Sequence, residues 1–400
     1  MNYAKFLDDE DINKILGENI GIPLKIENNK YLSINDKPIG YLPNNLIIGS
    51  KGSNVINNTI LPLVDNIINF KENIIIRDNY NIYEKFKDKL KDYNIIILDY
   101  ENLDQSMKYN IFDLIENIYK ESDYKAINML NELLLYLFND EGSTDPFWIN
   151  SARNLFSGIA LFKLENKEHI DLLSIYKLVQ DFNDENKSIE FINSLDKDSI
   201  IYINLSPILY APTETRKSII SVFNQVINCY LKSNKLIDIL TNSDFNLTSI
   251  SDPYIIFIKG DNYISRIIIN ILISQINNTN MKCNIILPDF DNMNLIYDLP
   301  KIINNKNINY TITISSYTNL KNKYGLEKTE ILKMCFENTI YLLSHDNETL
   351  EEICYMCGNK ELNTPLITPF DLLHLNKDEA IILMSRVYPI KIKLGGMKNE

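Results

Sequence analysis

The sequence is poor in glycine and has none of the long apolar stretches that mark export or membrane insertion. Only 12 of its 400 residues are glycine, about half of the usual share of roughly 7%. The 5 cysteines are an odd number, and the start, Met1–Phe6, lacks the apolar core of a signal peptide; both features predict a reducing compartment. No apolar run reaches the ~18 residues of a membrane-spanning helix. We therefore expect a cytoplasmic protein without a transmembrane segment.

Positive charge is also scarce. The formal net charge is −13, which does not suit a general nucleic-acid binder, because such proteins are usually basic. DNA binding therefore stays open and would need a local basic surface. The 45% of hydrophobic residues excludes a disordered chain, and 400 residues suffice for one large or two medium domains.

One stretch has the layout of a phosphate-binding loop but lacks its chemistry. An apolar run, Leu46–Ile48, predicts a strand, and a predicted helix over 55–61 follows a glycine-bearing loop. In a working loop, G-x-x-x-x-G-K-[ST], backbone N–H groups and the helix N-terminus cradle an anion. The second glycine, the lysine and the hydroxyl are replaced here by Asn54, Val55 and Ile56. The candidate loop positions are Gly49, Ser50, Lys51, Gly52, Ser53, Asn54, Val55 and Ile56.

Apolar runs alternate with helical patterns on both sides of a mostly helical middle region. This alternation predicts an α/β fold with a mostly parallel sheet covered by helices on both faces. Within the helical region, Asp145 and Pro146 are suited to cap and begin a helix. The predicted strands are 46–48, 74–77, 95–99, 254–258, 284–287, 310–315, 339–343 and 380–383.

The same pattern predicts the domain organisation. The sheet domain occupies residues 41–115 and 246–395, and a mostly helical domain, 116–245, is inserted between its two parts. Residues 1–40 form a lead-in arm, which is interpreted either as a surface extension or as a docking arm for a partner, and residues 396–400 form a tail.

Several phrases occur in one order along the chain. Besides the loop strand, the phrases are Tyr109-Asn110-x-Phe112-Asp113, Asp145-Pro146-Phe147-Trp148, Ile286–Phe290, Tyr310–Gly325, Thr364–Pro369 and Asp378–Leu383. Together they resemble the TraG-like type IV coupling proteins, the conjugative DNA-transfer ATPases, and the resemblance covers about residues 30–393. It implies a RecA-like P-loop NTPase fold with an inserted all-helical domain, usually assembled as a hexamer around a channel. Such proteins usually begin with membrane helices, which this sequence does not show.

Carried over residue by residue, the family's ATPase positions are altered. Val55 replaces the lysine that contacts the β/γ-phosphates, and Ile56 replaces the hydroxyl that binds Mg²⁺. In the family's second motif an Asp-Glu pair follows the strand; this chain has Pro288-Asp289 there. Where the family has its sensor glutamine, this chain has Ser315. Where the family has arginines ahead of the next strand, this chain has Asn304-Asn305-Lys306-Asn307, and the family's Asp-Pro-Lys-Gly-Glu phrase becomes Asp78-Asn79-Tyr80-Asn81-Ile82. We therefore predict a pseudo-ATPase with no catalytic residues, no metal and no nucleotide cofactor.

The resemblance implies a role in DNA or protein transfer by a type IV secretion or conjugation system. We expect a structural or docking subunit, peripheral to a membrane secretion complex, whose partners include other subunits, an active paralogue or a relaxase, in a homo- or hetero-oligomer. The alternative is a divergent but active ATPase that translocates DNA. In it Lys51 would reach the phosphates of Mg-ATP, and Asp289 or Asp291 would hold the metal. The opposing interpretation makes Lys51 a solvated lysine and the aspartates caps of a turn.

Overall fold

A nine-stranded, mostly parallel sheet is the centre of the first of two units into which the chain folds. The computed structural model describes residues 3–28, 30–34, 43–138 and 145–395, so the predicted tail lies outside the described residues. The first unit comprises Met1–Ile96, Ser251–Ile258 and Met281–Glu400. The second comprises Ile97–Ile250 and Lys259–Asn280.

The strands follow the apolar runs of the sequence, with the predicted bounds shifted by one or two residues at most. Strand order in the large sheet is β14-β13-β10-β4-β9-β8-β5-β7-β6. The pairs from β10 to β7 in this order are parallel, and β13 and β14 add an antiparallel edge. The strands are β1 (Leu16–Gly17), β2 (Pro23–Glu27), β3 (Lys30–Ile34), β4 (Asn45–Gly49), β5 (Ile74–Arg77), β6 (Asn94–Asp99), β7 (Tyr254–Lys259), β8 (Cys283–Leu287), β9 (Ile308–Ile314), β10 (Asn338–Leu343), β11 (Asn359–Glu361), β12 (Thr364–Pro365), β13 (Glu379–Met384) and β14 (Ile390–Lys393).

The central strands are buried along their whole length. In β5 the side chains of Ile74, Ile75 and Ile76 are all inaccessible to solvent. Strands of this kind are unbroken rather than alternating apolar runs, because a parallel sheet is covered on both faces. Isoleucine suits them, since its branched β-carbon packs well on a pleated surface.

Helices connect these strands and form nearly all of the second unit. The helices are α1 (Asp9–Ile15), α2 (Leu61–Asn69), α3 (Ile82–Phe86), α4 (Asp113–Tyr119), α5 (Asp123–Leu137), α6 (Pro146–Glu165), α7 (Leu172–Asp181), α8 (Glu185–Asn193), α9 (Ile200–Leu209), α10 (Thr213–Ile227), α11 (Asn234–Thr241), α12 (Tyr263–Asn277), α13 (Leu299–Ile303), α14 (Tyr317–Tyr324), α15 (Leu326–Lys333), α16 (Asn347–Cys357) and α17 (Pro369–Leu373).

The N-terminal segment differs from the predicted surface extension. Over its described residues it forms α1 and a small antiparallel sheet in the order β1-β3-β2. It packs on α2: the Tyr31 hydroxyl donates to Asp65 at 2.7 Å, and the Asn66 amide donates to the carbonyls of Asn19 and Gly21 at 2.8 Å each. Leu24 is fully buried. The described part of the segment is packed because its apolar residues join the core, and its assignment as a lead-in or docking arm stays a prediction.

The second unit begins its longest helix as predicted. The Asp145 carboxylate accepts the N–H of Phe147 at 3.0 Å, and Pro146 is the first residue of α6. Where α6 crosses α9, a β-carbon added at Gly158 would lie 2.5 Å from the Leu205 Cγ, so only glycine permits this approach. No helix within the described residues is long and apolar enough to span a membrane.

The second unit also contains α12, which the sequence pattern assigns to the second part of the sheet domain. The Gln275 amide of α12 donates to the Ile111 carbonyl at 2.6 Å, and Ser274 donates to Glu132 at 3.2 Å. The domain boundaries at residues 116 and 245 stay predictions.

Candidate functional site at the carboxyl edge of the sheet

Four neighbouring strands deliver the predicted loop and motif residues to one edge of the sheet. In the order β4-β9-β8-β5, their carboxyl ends are Gly49, Ile314, Leu287 and Arg77. Carboxyl ends of parallel strands meet at the same edge, where open α/β sheets bind ligands. Residues of all four following segments line one cleft of about 600 Å³, a size typical of small-molecule and cofactor sites.

The loop has two residues with positive φ and one position where only glycine fits. A β-carbon at Gly49 would lie 2.7 Å from the Ser53 hydroxyl oxygen and 2.9 Å from the Val55 Cβ, so the tight turn needs glycine here. Gly52 has φ of +99° and Asn54 has φ of +55°. Asparagine tolerates the left-handed region better than most residues. Asn54 therefore adopts a glycine-like backbone at the position where the family has its second glycine.

The loop offers backbone donors to the cleft. The Ser50 N–H is held by the Leu343 carbonyl at 2.9 Å, and the Ser53 N–H by the Ser50 carbonyl at 3.0 Å. The hydroxyls of Ser50 and Ser53 have no partner among the described residues, and Ser53 is only 4% exposed. The loop residues whose N–H groups donate no hydrogen bond within the described chain are Lys51, Gly52, Asn54 and Val55.

The helix that follows the loop begins with a π-helical turn, Ile56–Ile60, before α2. Two side chains fasten this turn: Asn58 donates to the Lys377 carbonyl at 2.6 Å, and the Thr59 hydroxyl donates to the Val55 carbonyl at 2.6 Å. Val55 and Ile56 are half-buried and line the cleft. Aliphatic side chains thus occupy the positions from which a lysine and a hydroxyl would face a phosphate.

The segment after β8 brings two carboxylates to the cleft, and both are engaged by uncharged donors. The Tyr80 hydroxyl donates to Asp289, whose own N–H donates to the Thr313 hydroxyl at 2.8 Å. Asp291 accepts both the N–H (2.8 Å) and the hydroxyl of Ser315. Asp289, Asp291 and Ser315 are therefore brought together, and their hydrogen bonds stabilise the turn.

Two more residues belong to this edge, and the sequence did not predict them. Buried Arg77, at the end of β5, donates from Nη1 to the Pro288 carbonyl at 2.8 Å. The guanidinium thus crosses from β5 to the turn where the family has a metal-binding carboxylate. Lys85 of α3 also lines the cleft. Its place follows from the adjacency of β5 and β8, which no local sequence signal reveals.

Lys51 and Lys85 are the cations of this cleft. Both side chains are exposed, and neither has a carboxylate partner among the residues that the structure describes. The arrangement can therefore attract an anion to the backbone donors of the loop. It places no cation at the start of the helix, where the charge of a transferred phosphoryl group develops.

The thiols of Cys354 and Cys357 on α16 are poor nucleophiles and poor metal ligands. Burial raises the pKa of the Cys354 thiol to about 11 and that of the Cys357 thiol to about 12. Nucleophilic attack and metal binding both need the thiolate, so these side chains act as small apolar residues of the helix.

Comparisons with known proteins agree with this architecture. The sequence profile of the family described as "Type IV secretory system Conjugative DNA transfer" matches residues 62–364. No curated protein sequence matches the chain. The fold is similar to that of plasmid coupling protein TrwB in complex with ADP and Mg²⁺, at 12% identity and a TM-score of 0.72, covering 100% of this chain and 95% of that one.

Two further solved structures extend the likeness. TrwB in complex with the non-hydrolysable ATP analogue ADPNP has 12% identity and a TM-score of 0.74, with 100% of this chain and 94% of that chain covered. VirB4 of Thermoanaerobacter pseudethanolicus has 10% identity and a TM-score of 0.59, with 96% and 98% covered. The predicted fold class, a P-loop NTPase fold with a large, mostly parallel sheet, is confirmed.

Proposed function

Since the chain belongs to the type IV secretory system conjugative DNA transfer family, as the sequence resemblance indicated, we propose that it is a pseudo-ATPase of the coupling-protein type. In this proposal it acts as a structural or docking subunit in the transfer of DNA or protein. It does not hydrolyse ATP, and it assembles with other subunits of the system, including an active paralogue or a relaxase.

The observation that carries the proposal is the pair of aliphatic side chains at the start of the loop helix. Val55 and Ile56 line the cleft with methyl groups. They supply neither a charge to the β/γ-phosphates nor a ligand to Mg²⁺. A hydrogen bond to a charged group is worth about 1.5–3 kcal/mol, so the missing lysine alone weakens nucleotide binding by about 10- to 100-fold.

The second support comes from the carboxylates. A catalytic metal would need Asp289 or Asp291 as a ligand, yet Asp289 accepts a hydrogen bond from Tyr80 and Asp291 accepts two from Ser315. Pro288 has no side chain that can hold a cation. The donor set of this edge therefore does not fit Mg-ATP in the arrangement needed for hydrolysis.

One observation favours a second candidate function, a divergent but active ATPase. Lys51 and Lys85 lie at the cleft as exposed cations. A polyphosphate seated on the loop N–H groups would attract both side chains. In this alternative one of them replaces the missing lysine, and the chain drives the translocation of DNA itself.

Titration of the full chain with Mg-ATP, followed by a phosphate-release assay with and without DNA, distinguishes the two. The pseudo-ATPase proposal predicts no binding tighter than about millimolar and no turnover above the buffer control. Micromolar binding that is lost in Lys51→Met or Lys85→Met, and retained in Lys91→Met, would replace it with the active enzyme. Lys91 is exposed and does not line the cleft.

The place of action follows from the family in the same proposal. We infer a cytoplasmic position, peripheral to a membrane secretion complex. A mobility-shift assay at low and high salt tests direct contact with DNA, because phosphate contacts weaken steeply as salt rises. Absence of a shift at low salt would restrict the role to protein contacts.

A further inference from the structure

The second unit contains an imidazole and two carboxylates in one group, separate from the cleft of the first unit. Asp113 and Glu116 lie three residues apart on α4, and His169 lies in the segment that precedes α7. One ligand atom of each residue lies within 4.8 Å of those of the other two. Residues three apart on a helix share a face, so both carboxylates are directed to the same side of α4.

Hydrogen bonds determine which nitrogen of His169 carries the proton. His169 Nε2 lies 3.2 Å from the Thr241 carbonyl, which can only accept, so Nε2 is the protonated nitrogen. The Asn110 amide lies 3.4 Å from the same nitrogen, but its two protons already go to Asp113 Oδ1 at 2.7 Å and the Ile170 carbonyl at 2.8 Å. The lone pair of the neutral ring is therefore on Nδ1.

Nδ1 faces a carboxylate oxygen. The distance from His169 Nδ1 to Glu116 Oε1 is 2.9 Å. Two lone pairs at that distance repel each other unless a proton or a cation lies between them.

We propose that Asp113, Glu116 and His169 form a binding site for a divalent transition metal ion such as Zn²⁺. Imidazole and carboxylate ligands suit this class of ion. Two ligand atoms bonded to one tetrahedral Zn²⁺ ion at about 2.1 Å lie about 3.4 Å apart, so the 2.9 Å between Nδ1 and Oε1 must lengthen by about 0.5 Å when the ion enters. Asp113 completes the set by rotating its side chain, since its Oδ2 takes part in no hydrogen bond within the described chain.

The surrounding contacts resemble the second shell of a metal site. A metal-bound histidine usually donates its other N–H to a carbonyl or carboxylate, which orients the ring; Thr241 does so here. Glu116 Oε1 also accepts the N–H of Ile170 at 2.5 Å. The ion would connect the start of α4 to the segment before α7 and stabilise the helical unit. This effect would not depend on the cleft of the first unit.

Zinc binding to the full chain, prepared without a polyhistidine tag, tests the proposal. Calorimetric titration with Zn²⁺ at neutral pH should show one ion per chain. His169→Ala and Glu116→Gln should each weaken binding by at least tenfold, about the lower limit seen for outer-shell changes. His345→Ala is the matched control, because His345 is exposed and is one of only 3 histidines.

Glu116→Gln should fold like the parent chain, because the glutamine amide oxygen can still accept the N–H of Ile170. Weaker zinc binding by this variant would therefore not be due to misfolding. Circular dichroism should match that of the parent chain. Nitrogen NMR of the imidazoles adds a direct readout: zinc should move the Nδ1 resonance of His169 and leave those of His345 and His374. Failure of the parent chain to bind Zn²⁺, equal binding by His169→Ala, or a protonated Nδ1 in the presence of zinc would each overturn the proposal.

Discussion

Replacing Val55 by lysine and Ile56 by threonine should restore nucleotide binding to the cleft. Both side chains are half-buried and line the cleft, so the substituted groups face the same space. The loop backbone need not change, because Asn54 already has a positive φ of 55°. The substitution therefore tests whether side-chain chemistry, and not loop shape, is what the site lacks.

The expected gain follows from one charge-assisted contact. A lysine ammonium on the β/γ-phosphates contributes about 1.5–3 kcal/mol, which corresponds to about 10- to 100-fold tighter binding of Mg-ATP. Threonine at position 56 adds a Mg²⁺ ligand, so part of the gain should disappear when EDTA replaces Mg²⁺. The pseudo-ATPase proposal predicts no hydrolysis by this variant, since Pro288 and Ser315 still lack the groups that bind the metal and sense the γ-phosphate.

Calorimetry of the parent chain, the V55K/I56T variant and a V55M/I56T control measures this gain. Methionine matches the length of the lysine stem without its charge, so it separates electrostatic attraction from a change in packing. Equal affinities of the lysine and methionine variants would refute the argument that the missing charge is what weakens the site. An affinity of the parent chain that already equals that of V55K/I56T would refute it as well.

Three further outcomes follow from the structure. Gly158→Ala should destabilise the helical unit by up to about 2 kcal/mol in urea unfolding, because overpacking of about 1–3 kcal/mol against Leu205 is offset by a helix-propensity gain of about 1 kcal/mol. A Leu205→Ala background should reduce this loss, and an unchanged loss would contradict the contact. Asn54→Ala should lower the free energy of unfolding by about 1–2 kcal/mol, because alanine is strained in the left-handed backbone conformation of residue 54, whereas Asn54→Gly should be nearly neutral. Equal losses in the two variants would exclude a backbone cause. At pH 8, Cys354 and Cys357 should react with iodoacetamide far more slowly in the folded chain than in guanidinium. Their pKa values of about 11 and 12 keep the thiols protonated in the folded chain. Fast alkylation of the folded chain would contradict this prediction.

The sheet was largely predictable because its strands are unbroken apolar runs. A run such as Ile74–Ile76 is typical of a strand buried on both faces, and the structure leaves it no exposed surface. β14 (Ile390–Lys393) was missed because every second residue is a lysine. Lysines suit an edge strand, but in the sequence alone such a stretch looks like a polar loop. The packing of residues 16–34 on α2 was missed because it depends on long-range partners such as Asp65.

Part of the candidate site could be predicted from the sequence, and part could not. The loop positions Gly49–Ile56 were found by local pattern, and the structure places them at the cleft. Arg77, Tyr80 and Lys85 were not assigned a role, because their relevance depends on β5 lying beside β8. Single-sequence patterns identify strands and turns, but they do not give the order in which strands pair.

Retention of the loop shape does not by itself require a nucleotide. Gly49 is needed to avoid the Ser53 and Val55 side chains, and the Ser50 N–H closes the end of β4 onto the Leu343 carbonyl of β10. Asn58 fastens the π-helical turn to the Lys377 carbonyl, just before β13. These contacts join the loop to the core of the sheet, so its geometry has a structural cause that persists without a lysine at position 55. A loop held by the fold in this way keeps its form after its chemistry has changed, and for that reason the side chains that face the cleft, not the backbone, decide whether this chain acts as an ATPase.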